Sequence, residues 1–233
     1  MSELVTIKEL AKEVLTKSKD SLQLGRYLWE RTQRMVRHIE YICELPEIAQ
    51  PGLEIDRFSL LCATYFSETG LSGLLGRKNA PITYPFFKSG SDGLMELCAQ
   101  IIDSKLGSIL TKSQVVKIKK IISESVGHST SMTEAMILSD ARNLEDMGAV
   151  GLFNELKRFM SQGKNISDIL LHWQKQIDYR YWQARLEDNF WFEDVRKLAE
   201  QRLATAWKFM NQLQTEAEAR DLKALKESFQ EPY

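Results

Sequence analysis

Apolar residues recur at three- and four-residue spacing along nearly the whole chain, and no segment shows the period-two alternation of a strand. The pattern predicts an all-α protein. A first helix is expected over residues 6–17. A second is expected over 23–45, where Leu24, Leu28, Met35, Val36, Ile39, Ile42 and Cys43 form one apolar stripe. That stripe has a gap, because Arg31 and Thr32 stand where core-facing residues are due. A third helix, 53–68, is apolar almost all round and is therefore expected at the centre. It closes on Ser67-Glu68. An acid at the apolar, negative end of a helix is disfavoured by burial and by the helix dipole. Gly70 and Gly73 then read as helix stops.

Residues 71–90, with Gly76, Pro81, Pro85 and Gly90, read as a long loop in which Arg77, Lys78 and Lys88 accompany Tyr84, Phe86 and Phe87. Its length suits a lid or binding loop as well as surface filler. Helices are expected at 92–104, 113–125 and 132–146, the last opened by Ser131-Met-Thr-Glu134 with capping-box spacing. The pattern resumes over 152–160 beyond Gly148 and Gly151, and two long helices, 166–186 and 190–227, complete the chain. Within the first of these, Trp173, Ile177, Tyr181 and Leu186 are expected to pack inward, with Lys175, Asp178 and Arg185 in water. The methionines at 132, 136, 147, 160 and 210 are expected to fill core. No repeat or low-complexity linker divides the sequence. A single compact helical bundle over 1–233 is expected, with residues 216–233 as a charged C-terminal extension.

Composition narrows the partners. A chain of 233 residues with 43% hydrophobic content can bury a sizeable core. Thirty-one basic residues against 32 acidic ones leave a net charge of −1, so no global field draws nucleic acid or anionic membrane. No apolar run approaches the ~18 residues of a membrane span, and the acidic N-terminal decapeptide lacks a signal-peptide core. Cys43, Cys62 and Cys98 are far apart in apolar surroundings, as reduced core thiols of a cytoplasmic protein would be.

Three segments carry a family resemblance. Trp29-Glu-Arg-Thr-Gln-Arg-Met-Val36, Ala63-Thr-Tyr-Phe-Ser-Glu-Thr-Gly70 and the stretch from Glu134 to Gly151 around Asp140 resemble the successive metal-site motifs of the HD-domain superfamily of metal-dependent phosphohydrolases. The segment from His172 to Met210 resembles the long helices of one bacterial HD subfamily, so the likeness extends over about residues 20–215. It implies an HD-like helical bundle and, in the family, a divalent ion held by a His, a paired His-Asp and an Asp. Here the first His corresponds to Arg31, the pair to Ser67-Glu68, and only Asp140 is retained. The extra histidines of some branches fall near Ser89 or Gly90 and near Ser125, which leaves His128 close to the second of these. An alternative registration puts His38 at the first motif. His38 and His172 otherwise lie in helical patterns and read as structural.

Arg31 stays protonated and cannot ligate a cation. The resemblance therefore implies a protein that has lost its metal and its catalysis, with no cofactor and with Arg31 bridging Glu68 and Asp140. Such a site would bind a small anion or nucleotide through Arg31, Ser67, Glu68, Asp140, Arg142 and Asn143. A protein partner, or a homo-oligomer built on the C-terminal helices, is the other form of a non-catalytic role. Neither a nucleic acid nor a membrane is expected. The competing reading is a working phosphohydrolase on a nucleotide or other phosphate ester. It would use Mn²⁺, Mg²⁺ or Fe²⁺ in an altered site, with Asp140, His128 and Glu68 as catalytic candidates.

Overall fold

A computed structural model of the chain describes residues 3–17, 22–50, 52–75, 92–127 and 129–228. All regular structure among them is helical, as the periodicity predicts. The chain forms two compact units, Met1–Glu145 with Asn189–Val195, and Asp146–Asp188 with Arg196–Tyr233.

The first unit begins with α1 (Glu3–Thr16), α2 (Leu22–Ile42), α3 (Arg57–Phe66) and α4 (Thr69–Leu75). It continues with α5 (Asp92–Leu106), α6 (Lys112–Glu124) and α7 (Thr133–Glu145). α3 is central, as expected: α1, α2, α6 and α7 all pack on it, and its residues from Cys62 to Phe66 are buried without a break. Its start is fixed chemically. Asp56 is the N-cap, and its carboxylate accepts from the Ser59 N–H at 2.9 Å. The cap's own N–H donates to Glu134 Oε1 of α7 at 3.1 Å. Glu134 thus supplies across space the reciprocal half of a capping box. Lys117 of α6 pairs with the same two acids, at 3.0 Å from Asp56 and 3.1 Å from Glu134. The local box expected at Ser131 is replaced by this arrangement, because the Glu134 carboxylate faces α3 and α6.

The turn after α3 also departs from expectation. Gly70 and Gly73 lie inside α4, with the Ser67-Glu68 turn before it. A Cβ on Gly70 would stand 2.2 Å from the Leu94 carbonyl oxygen of α5. The glycine is there so that α4 and α5 can touch. The predicted loop 71–90 is helical through Leu75; the rest of it, including Arg77, Lys78, Tyr84, Phe86, Phe87, Lys88, Ser89 and Gly90, lies outside the described residues, as does His128.

The second unit holds α8 (Gly148–Ser161), α9 (Ile166–Asp178), α10 (Tyr181–Asp188), most of α11 (Glu193–Ala217) and α12 (Arg220–Ser228). Trp173 of α9 packs on Trp182 of α10 and Trp207 of α11, with ring centroids 5.5 and 5.6 Å away. Each long C-terminal helix is interrupted once. Arg180 and Ala219 both take a left-handed conformation, φ 53°, which ends one helix and lets another begin. The break at Arg180 shifts the helical phase beyond it. Tyr181 is consequently exposed, Trp182 takes the buried position, and Arg185 turns inward to pair with Asp146 at 2.9 Å. Met160 is exposed, whereas Met147 and Met210 fill core.

Candidate functional site

The gap in the α2 stripe is buried. Arg31 is 7% exposed and Thr32 is fully enclosed. The Arg31 Nε lies 3.6 Å from Glu68 Oε1, and the Nε of Arg142, reaching in from α7, lies 3.9 Å from the same oxygen. Both separations exceed hydrogen-bond length. Glu68 Oε1 is buried and accepts no hydrogen bond among the described residues. Arg142 is anchored by Nη1, which donates to Ser125 Oγ at 3.1 Å; the Ser125 hydroxyl donates in turn to the Ile122 carbonyl at 2.7 Å. Two guanidinium groups therefore share one carboxylate.

The chain path explains how Glu68 is tolerated there. Glu68 does not end α3; its carbonyl accepts from the Ser72 N–H, so it opens α4. An acid is favoured at that positive end of a helix. Ser67 closes α3 instead, its hydroxyl donating to the Thr64 carbonyl at 3.0 Å.

Asp140 is fully buried and bonded differently. Its Oδ1 accepts from the Trp191 N–H at 2.9 Å and its Oδ2 from the Phe192 N–H at 3.0 Å. Burial pushes this carboxyl up to about 7; the two N–H donors oppose the rise, and the charge of Glu47 adds to it. Glu47 accepts from the next two backbone N–H groups, Glu193 at 3.3 Å and Asp194 at 3.1 Å. Asn143 Nδ2 donates to the Asn189 carbonyl at 2.7 Å. Asp140, Asn143 and Glu47 thus hold the segment leading into α11. The bridge expected from Arg31 to Glu68 and Asp140 is formed only in its first half. The second charge beside Glu68 is Arg142.

The residue pattern does not single out one further polar contact of this region. Arg34 pairs with the buried Glu145 at 2.6 Å. A signal for it exists: Arg34 lies three residues after Arg31, and Glu145 three after Arg142, so each shares a helical face with its neighbour. His38 lies on α2 with Nδ1 3.4 Å from the Ala141 carbonyl.

The residues assigned to the metal by resemblance do not suit a divalent ion. Two guanidinium groups flank Glu68, and a cation placed there would be repelled. Both Asp140 oxygens already face N–H donors. Among the described residues, no three His, Cys, Asp or Glu side chains gather as a metal site.

No helix among the described residues is long and apolar enough to cross a membrane. No family model and no curated protein matches the chain. Its fold is nevertheless shared by solved structures. The crystal structure of Bacillus subtilis YpgQ is similar with a TM-score of 0.57 and 18% identity, covering 93% of this chain and 97% of that one. YpgQ in complex with ADP gives 0.56 and 17%, covering 90% and 97%. At such identities the likeness is one of fold.

Proposed function

We propose that this chain is a divergent, cytoplasmic HD-like protein that binds a small phosphate-bearing anion and has given up metal-dependent hydrolysis. The observation that carries the reading is the convergence of Arg31 and Arg142 on the single oxygen of Glu68. Two buried guanidinium groups meeting at one carboxylate oxygen make a locally positive site, of the polarity an anion seeks. Arginine suits phosphate because its planar fork offers paired donors. A protein of similar fold has been crystallised with ADP, which supports a phosphate-bearing ligand. Arg142 fixes its own orientation through Ser125, and Arg31 is held inside a helix stripe, so both donors are preorganised.

Isothermal titration with ADP and with inorganic phosphate tests the reading. Binding to the wild-type chain is expected, with Arg31→Met and Arg142→Met each weakening it by about tenfold or more. Arg26→Met, at an exposed pair with Glu30, serves as the control and leaves affinity unchanged. Absence of binding to wild type, or equal binding by all three variants, overturns the proposal. Stoichiometric Mn²⁺ or Fe²⁺ in the purified chain, measured by mass spectrometry, overturns the loss of the metal and returns the phosphohydrolase reading.

A further inference from the structure

We infer that Glu68 makes this site selective for a protonated oxyanion, one that carries a P–O–H group, over an oxyanion with no proton to give. The inference rests on the anion-binding reading above and adds to it the chemical form of the ligand.

A carboxylate is the wrong group to place beside a bound anion unless the anion brings a hydrogen-bond donor. Glu68 is placed so. Its side chain is 7% exposed, and Oε1 lacks any hydrogen bond among the described residues. The two flanking guanidinium Nε atoms stand 3.6 and 3.9 Å away, in ion-pair contact but beyond hydrogen-bond length, so neither satisfies Oε1. A buried acceptor left unmade is costly. A P–O–H oxygen entering beside Glu68 donates its proton to Oε1, while its charged oxygens accept from Arg31 and Arg142. The carboxylate that would repel a fully ionised oxyanion then becomes a partner. Inorganic phosphate carries at least one such proton throughout the neutral range. A phosphate monoester keeps one only below its second pKa of about 6. Sulfate has none, at nearly the same size and shape. A site whose buried polar group is satisfied by one ligand and orphaned by its isostere discriminates strongly between them.

The experiment is a titration of the wild-type chain with inorganic phosphate and with sulfate at neutral pH, repeated with Glu68→Gln. Wild type is expected to prefer phosphate by about tenfold or more. Glu68→Gln removes the negative charge and supplies an amide N–H that can donate to either anion, so the preference should fall to within about twofold. Equal wild-type affinity for both anions overturns the inference while leaving the anion-binding reading in place. A preference that survives in Glu68→Gln also overturns it, since selectivity would then reside elsewhere. Failure of wild type to bind either anion or ADP overturns both. The wild-type ratio stands even if the variant does not fold.

Discussion

Glu68 and Asp140 are both buried acids of the first unit, assigned by resemblance to the same ion, yet the fold meets their needs in opposite ways. Asp140 is matched atom for atom by two backbone N–H groups and secures the segment before α11. Glu68 Oε1 is held in place by charge alone, with both guanidinium groups beyond hydrogen-bond length. Burial therefore does not tell the two acids apart. Completeness of hydrogen bonding does, because each Asp140 oxygen faces an N–H donor and Glu68 Oε1 has none among the described residues. The triad of Asp56, Lys117 and Glu134 makes the same point from the structural side, since every member has short partners and the result is a capped helix.

The comparison can be broken most directly by removing each acid. Asp140→Ala strands two backbone N–H groups and opens a small cavity, and should cost about 3–5 kcal/mol in urea unfolding. Glu68→Gln has no hydrogen bond at Oε1 to lose, but it removes the charge that two buried guanidinium groups share and should also cost about 3–5 kcal/mol. Added phosphate, which can replace the lost charge, should recover part of the Glu68→Gln loss and none of the Asp140→Ala loss; equal recovery would dissolve the distinction between the two sites. Gly70→Ala tests the scaffold that sets Glu68 in place. The added methyl meets the Leu94 carbonyl, and α4 must move off α5, at a cost of about 1–3 kcal/mol by the same assay.

A finer test uses pH. Asp140 has its carboxyl raised from the ordinary 3.8 to about 7 by burial. Between those limits the folded chain keeps a proton that the unfolded chain releases. Stability contributed by this group is thus present at the acid end and declines as pH rises toward 7. The full decline is on the order of 4 kcal/mol. Asp140→Asn should flatten it, and Glu47→Gln should move its upper limit downward by removing a like charge. Urea midpoints across the pH series check this; an unchanged slope in Asp140→Asn would sink the assignment.

Much of this arrangement is legible in the order of residues. The buried gap at Arg31 and Thr32 shows in the α2 stripe, the central place of α3 shows in its apolar circumference, and the odd position of Glu68 shows as a conflict of charge with context. The breaks at Arg180 and Ala219 do not show. Neither residue is glycine, and a left-handed φ at any other residue leaves no mark in composition.

What the sequence by itself determined was helix type and facing, because a period of 3.6 is a local property that neighbours three and four residues apart enforce. The choice of partner belonged to the tertiary structure alone. Arg31, Glu68, Ser125 and Arg142 come from distant parts of the chain, and the pairing of Glu68 with Arg142, and of Asp140 with backbone N–H groups, follows from how α2, α4, α6 and α7 pack. Charge and hydrogen bonding act over a few ångströms in space, and spacing along a sequence does not set that distance.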